Sequence, residues 1–216
     1  MILTAILFRL REGCRWRALT IFAPYTTIYY WWRKWVDGGL WERILAALQE
    51  GDPTGEQCID SSYVKVHKHG SNPVQGQQNE AIGKSRSGLT TKIHARTNGQ
   101  GKPTKLFLSP GNEADISHAG ALVIDCHGCE IVADKAYDAD DLRCLINLLD
   151  STCCIPSKNN RKEPIPHDPE VYKRRHFVEN FFQRIKEFRA VATRYEKLAS
   201  TYLALVTLSA IIVWIS

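Results

Sequence analysis

The change of hydrophobic period near residue 53 restricts the fold of this chain more than any other feature. Before it, apolar residues recur at helical spacing: Ile2, Ile6, Leu7 and Leu10, then a run through Trp31, Trp32 and Trp35, then Trp41 to Gln49. Gly13 ends the first predicted helix and Gly38 with Gly39 the second, whose expected N-cap is Thr26 or Thr27. After the polar stretch Gly51 to Gln57 the pattern alternates. Strands are predicted over Cys58 to His67, Leu89 to Thr97, Lys102 to Leu108, Glu130 to Ala133 and Thr152 to Pro156. Helices are predicted over Asp115 to Ile124 and Asp138 to Leu149, and a Gly/Ser/Asn/Gln-rich loop over 68–88. Three consecutive strands followed by alternating helices and strands give an α/β class, a five-stranded mixed sheet flanked by helices. The expected division is a small helical region, 1–52, and a sheet domain, 53–216.

With 216 residues, 44% of them hydrophobic and 24% charged, the chain can bury a core, which excludes disorder as its main state. Its formal charge of +5 is unevenly placed: +3 over 1–50, −3 over 51–60, +7 over 61–105, −7 over 106–155 and +5 over 156–216. Basic stretches around an acidic block suit a protein that grips a polyanion while concentrating carboxylates, and a solvated mosaic surface fits the charges equally well. Five of the six tryptophans lie between Trp16 and Trp41, beside Arg15, Arg17, Arg33 and Lys34. On those residues alone an aromatic core with surface arginines outweighs a helix-turn-helix element that binds DNA.

Seven cysteines, an odd number, in a chain whose start lacks the order of a secretory signal point to a reducing cytoplasm. Cys126, His127 and Cys129, with Cys153 and Cys154, are the densest thiol group. Their spacings do not form matched zinc knuckles, so buried free thiols are expected. The last 19 residues, Leu198 to Ser216, carry no charge and could just cross a bilayer. Thr201, Tyr202, Thr207 and Ser209 dilute them, and a buried helix is expected instead.

Two carboxylates fall where strands disfavour them. Asp60 lies inside the first predicted strand and Asp134 ends the fourth. If those strands are neighbours in a mixed sheet, both acids come within reach of one divalent cation. A third group comes from Tyr172 to Arg189, read as one helix. With Tyr172 at 0°, Arg175, Glu179 and Lys186 fall near about 300°, 340° and 320°, while Phe177, Phe181, Ile185 and Phe188 occupy the opposite side.

The order Tyr172, Arg175, Glu179, Lys186, with two, three and six residues between them, resembles the signature around the catalytic glutamate of insertion-sequence DDE transposases. The words Gly13 to Trp16, Gly39 to Glu42, Ile59 to His67, Gly88 to His94, Ala133 to Asp138 and His176 to Phe182 extend the resemblance over nearly the whole chain. They are similar to the insertion-sequence-five family, in the IS4/IS5-like group. The resemblance implies an RNase H-like core over 53–216, with Asp60, Asp134 and Glu179 as catalytic triad and metal ligands. It implies two magnesium ions, or manganese, about 3.5 to 4 Å apart, hydrolysing a phosphodiester at the transposon end and joining the 3′ hydroxyl to target DNA. Tyr172, Arg175 and Lys186 are then expected to bind DNA beside the scissile bond. The partners the resemblance implies are double-stranded DNA, as terminal inverted repeats and target, and a second copy of the chain in a synaptic complex, with no membrane.

Family members carry further helical turns before the position of Met1, so region 1–52, where the resemblance implies DNA binding, is expected to be shortened. That shortening favours one alternative, a catalytically silent DNA-binding relic or regulator, whereas three retained carboxylates favour an enzyme. A metal-dependent nuclease for another substrate shares the chemistry, but the Tyr/Arg/Glu/Lys stripe argues against it. His67, His94 and His176 are expected to be structural or to lie near DNA.

Overall fold

The computed structural model describes residues 1–51, 55–71 and 80–216. The expected boundary near residue 53 lies outside the described residues, as do positions 72–79 of the expected 68–88 loop.

Helix α1 (Ile2–Glu12) stops at Gly13, whose φ of 66° is left-handed and whose N–H donates to the Arg9 carbonyl. Any larger residue would also crowd a neighbour, because an added Cβ would sit 3.0 Å from the Cβ of Arg189. A 3₁₀ turn (Trp16–Ile21) leads to α2 (Tyr25–Asp37) and α3 (Leu40–Gln49). The expected threonine cap is not used. Pro24 takes the N-cap position and Thr26 and Thr27 fall in the first turn of α2, since proline's fixed φ and missing N–H cost least at a helix start. Trp16, Trp32, Trp41 and Trp35 touch in that order with ring centroids 5.8 to 5.9 Å apart, so an aromatic core does form.

The sheet is built on β1 (Glu56–Val66), which pairs antiparallel with β3 (Gly88–Asn98) along nearly its whole length. The far edge of β3 carries β4 (Pro103–Pro110) and the short β2 (Gly83–Ser85), both antiparallel. On its other edge, β1 pairs parallel with β5 (Glu130–Val132), and β5 with β6 (Thr152–Cys154). The main order is therefore β4-β3-β1-β5-β6 with β3 reversed against β1. The five expected strands are present. Among the described residues the sheet nevertheless has seven, because β2 forms inside the expected loop and β7 (Thr193–Arg194) pairs parallel with the end of β1. A strand of two or three residues is too short for alternation to register.

Helices cover both faces. On one, α4 (Ile116–Val123) and α5 (Asp140–Leu148) enclose a core with Ile59, Ile131, Ala133 and Tyr137. On the other, Cys58, Val64, Ile93 and Ala95 join one core with the N-terminal helices, α7 (His176–Lys186), α8 (Arg189–Ala192) and α9 (Ala199–Ile215). α9 is apolar all round and is packed on α3, β4, α7 and α8, the expected fate of such a helix inside a domain. Among the described residues no helix is long and apolar enough to cross a membrane.

One helix prediction fails. Tyr172 to Arg189 is not continuous but divides into α6 (Pro169–Lys173) and α7. Arg174 and Arg175 keep right-handed helical angles, yet Arg175 N–H donates to the Tyr172 carbonyl and Phe177 N–H to that of Arg174, a tighter three-residue spacing. Tertiary partners hold that junction: Arg174 pairs with Glu56, and its carbonyl lies 3.5 Å from the Cys58 sulfur. Tyr172 therefore stands on a different element from Glu179 and Lys186, and α7 ends at Lys186 rather than Arg189.

Candidate active site

Among the described residues, β1 has a strand on its second edge only at its two ends, β5 against Glu56–Cys58 and β7 against Lys65–Val66. Asp60 occupies the gap between them. The strand thus accommodates a carboxylate with Ala95 of β3 as its neighbour on one edge and no ladder partner on the other. Its Oδ1 accepts from the Ser61 N–H at 2.7 Å and its Oδ2 from Arg175 Nη1 at 3.1 Å. Asp134 lies two residues past β5, the parallel neighbour of β1, and caps the 3₁₀ turn Lys135–Tyr137 through Ala136 N–H at 2.8 Å. Glu179, in the first turn of α7, accepts from Arg175 Nη2. One guanidinium thus joins Asp60 to Glu179.

Burial, with the charges of Asp134 and Asp115, raises the Asp60 carboxyl from 3.8 to about 6 against the pull of the Ser61 N–H and Arg175. The folded protein holds this proton more tightly than the unfolded chain. In chelator, stability attributable to Asp60 should therefore fall by roughly 3 kcal/mol as pH rises from about 4 to about 6. Thermal melts of the parent and of Asp60→Asn across that range check this: the two curves should diverge with the variant gaining, and parallel curves would refute it.

A cleft of about 370 Å³ is lined by Asp60, Ser61, Ser62, Glu179, Gln183 and Lys186, with Phe182 as its apolar wall. Lys186 Nζ donates to the Ser62 hydroxyl and to the Tyr63 carbonyl, and desolvation lowers its pKa. Tyr172 lies outside this lining; its ring sits 5.9 Å from the Arg175 guanidinium carbon and meets His167 edge-on. The structure thus gathers Asp60, Glu179, Arg175 and Lys186. Asp134 is near enough to perturb Asp60 but does not line the cleft. Among the described residues no three His, Cys, Asp or Glu side chains converge closely enough to hold a metal ion.

Residues not singled out from sequence support the site from the opposite face of the sheet. The Ser61 hydroxyl donates to Asp115 Oδ1 at 2.5 Å, and buried Lys92 donates to the same oxygen at 2.7 Å and to the Glu113 carbonyl at 2.6 Å. Tyr137, 1% exposed, lies where the charges of Asp60, Asp115 and Asp134 add to burial in raising its pKa. The signal for Lys92 was available: a lysine in the middle of a predicted strand, Leu89 to Thr97, needs a charged partner if the sheet buries it.

His94 is structural, buried, bonded to Ser109 at 2.8 Å and held down to about 4 by desolvation and by His118. His67 stacks on Tyr195, and His176 is exposed, its Nδ1 2.8 Å from the Lys173 carbonyl. All seven cysteines are free thiols, with Cys58, Cys126, Cys129 and Cys154 buried.

A sheet in the order β4-β3-β1-β5-β6, with β3 antiparallel to β1, β5 and β6 parallel to it, one acid inside β1, a second just past its parallel neighbour β5 and a third on a later helix, is an RNase H-like core. Residues 52–215 match the family described as transposase DDE domain, and residues 1–45 match a transposase family of the IS4/5 group. The chain belongs to the DDE transposases, in the IS4/5 family. A Brucella ovis protein named as a transposase for insertion sequence element IS6501 is 34% identical over 129 residues, 59% of this chain and 99% of that one. Among solved structures, the Mos1 transposase paired-end complex with left transposon end gives a TM-score of 0.33 at 10% identity, over 90% of this chain and 79% of that one. A pre-cleavage Mos1 transpososome gives 0.34 at 8% identity, over 99% and 78%.

Proposed function

We propose that Asp60, Asp134 and Glu179 are the catalytic carboxylates of this DNA transposase, which cleaves a phosphodiester at each transposon end and transfers the 3′ hydroxyl to target DNA. The observation that supports this most is the Arg175 bridge, which brings residues more than 100 positions apart in sequence onto one guanidinium. Paired acids on one cation mark a site of concentrated negative charge. The donor set is all oxygen, which suits hard cations such as magnesium or manganese, and Asp60, Asp134 and Glu179 would draw together to hold them. Bound there, such ions supply charge that activates the attacking oxygen and stabilises the leaving one. Arg175 neutralises Asp60 and Glu179 without metal, and releasing them frees its guanidinium for a DNA phosphate. Lys186, which lines the same cleft, serves a second phosphate. The helical region 1–52 adds DNA contacts beside the domain 53–216, and two copies in the cytoplasm act on paired ends.

Incubating the protein with mini-transposon DNA and magnesium, then sequencing cleaved ends and insertions, tests the reaction. Activity is expected with magnesium or manganese, while calcium supports binding with little chemistry because its loose coordination suits the displacement poorly. Cleavage that persists in excess chelator would exclude metal chemistry. Stoichiometric zinc in purified protein would instead point to the cysteine cluster.

Arg175→Ala and Lys186→Ala should each lower the slope of log affinity against log salt by about 0.9 on duplex DNA, the loss of one phosphate contact. Cleavage should fall further than binding, since misplacing the scissile phosphate by about 1 Å costs on the order of 100-fold. Unchanged salt dependence and cleavage in both variants would remove these side chains from the DNA site.

A further inference from the structure

Away from the carboxylates, a cleft of about 560 Å³ opens between the end of α1, the residues after β1 and the link from β7 to α9. Arg9 lines it and is only 5% exposed. One of its terminal nitrogens donates to Glu196, and its guanidinium carbon lies 4.2 Å from the Trp16 ring centroid. Its Nε and remaining Nη are buried with no partner among the described residues. Buried polar groups are seldom left so, and a half-satisfied guanidinium facing a cavity calls for an anion.

The surroundings agree. Arg15 and Lys68 are exposed at the same cleft, and Glu196, the one acid of its lining, is already paired with Arg9. Desolvation and the positive charges of His67, Lys68, Arg15 and Lys197 hold the His69 pKa below its ordinary value, a sign of crowded cations. Tyr195, 43% exposed, stacks on His67 at 4.6 Å and 30°, and His67 in turn meets His69 at 4.7 Å. An aromatic platform beside unpartnered cations is the combination that binds a phosphate and a flat ring together.

We propose that this cleft is a subsite for an unpaired stretch of a DNA strand, with one phosphate taken by Arg9, Arg15 and Lys68 and one base stacked on Tyr195. Its volume lies within the roughly 300 to 1,000 Å³ of small-ligand pockets, enough for a nucleotide and too small for a duplex. β1 runs from Asp60 toward His67 in seven residues, so the subsite lies roughly 20 Å along the strand from the carboxylates. The inference rests on the proposed action on DNA ends, but its test reads binding alone.

The full chain is titrated, in chelator, with a short single strand carrying 2-aminopurine and with a duplex of the same sequence. Tyr195→Ala should weaken single-strand binding by roughly 5- to 150-fold and abolish quenching of the fluorescent base, with duplex binding unchanged. Lys68→Ala should lower the single-strand salt slope by about 0.7. Because Arg9→Met alone strands Glu196, the double variant Arg9→Met, Glu196→Met serves for Arg9, and it should also lose single-strand affinity. The titration reads binding in chelator, where no strand is cut, so its failure is distinct from failure of the catalytic assignment, which end cleavage with magnesium reads. Parental single-strand affinity and quenching in both Tyr195→Ala and Lys68→Ala would overturn the proposal. So would inorganic phosphate displacing the strand as effectively as deoxyadenosine monophosphate, which would reduce the cleft to a general anion site.

Discussion

Cleavage of transposon ends is expected to fall by at least about 100- to 1,000-fold in each of Asp60→Ala, Asp134→Ala and Glu179→Ala, with DNA binding largely intact. Each substitution removes one carboxylate from a site whose charge must match that of metal and phosphate, while the grip on DNA comes from basic side chains elsewhere. The three variants should differ in how they treat the resting protein. Asp60→Ala and Glu179→Ala each release one arm of Arg175, whereas Asp134→Ala removes the cap of the turn Lys135–Tyr137. Gel assays of end cleavage beside binding isotherms make the comparison, and wild-type cleavage in any one variant would take that residue out of the triad.

Lys92→Met is expected to destabilise the protein by about 3 kcal/mol, toward the low end of the cost of breaking a buried pair, because the Asp115 side chain keeps 25% exposure. For a chain of this length that corresponds to a drop in melting temperature of roughly 6 to 12 °C. The lysine is 2% exposed and its ammonium also lies 4.7 Å from the Tyr63 ring centroid, so no water can replace it cheaply. Removing it leaves Asp115 charged behind Ser61, the residue whose N–H holds Asp60, so cleavage should fall with stability. The double variant Lys92→Met, Asp115→Leu should recover most of the melting temperature by removing both charges. Circular dichroism melts decide it, and a Lys92→Met variant that melts with the parent would show that the pair contributes nothing.

Much of the core was legible because burial and period are local properties. The alternating runs around Ile59 and Ile93 read as strands, and the uncharged run from Leu198 onward as a helix buried within the domain. The acids at Asp60 and Asp134 were visible as well, since a carboxylate where a strand should be apolar is a local contradiction that only a site or a cap resolves.

What sequence could not supply were the contacts between elements. Helix arithmetic placed Arg175 on a stripe with Glu179 and Lys186, but not between Glu179 and an aspartate 115 residues earlier. It also carried Tyr172 onto that stripe across a junction that the contacts of Arg174 with Glu56 and Cys58 tighten and divide. Lys92, Asp115 and Ser61 come from three separate elements, and nothing in their spacing announces that they meet. By itself the sequence determined the class of fold, the strand bearing Asp60 and the one that Asp134 follows, and the family signature around Glu179. Tertiary structure alone decided which charges pair and which line the cleft, because those choices depend on strand order, register and helix phase, set by packing across the sheet rather than by any neighbour along the chain.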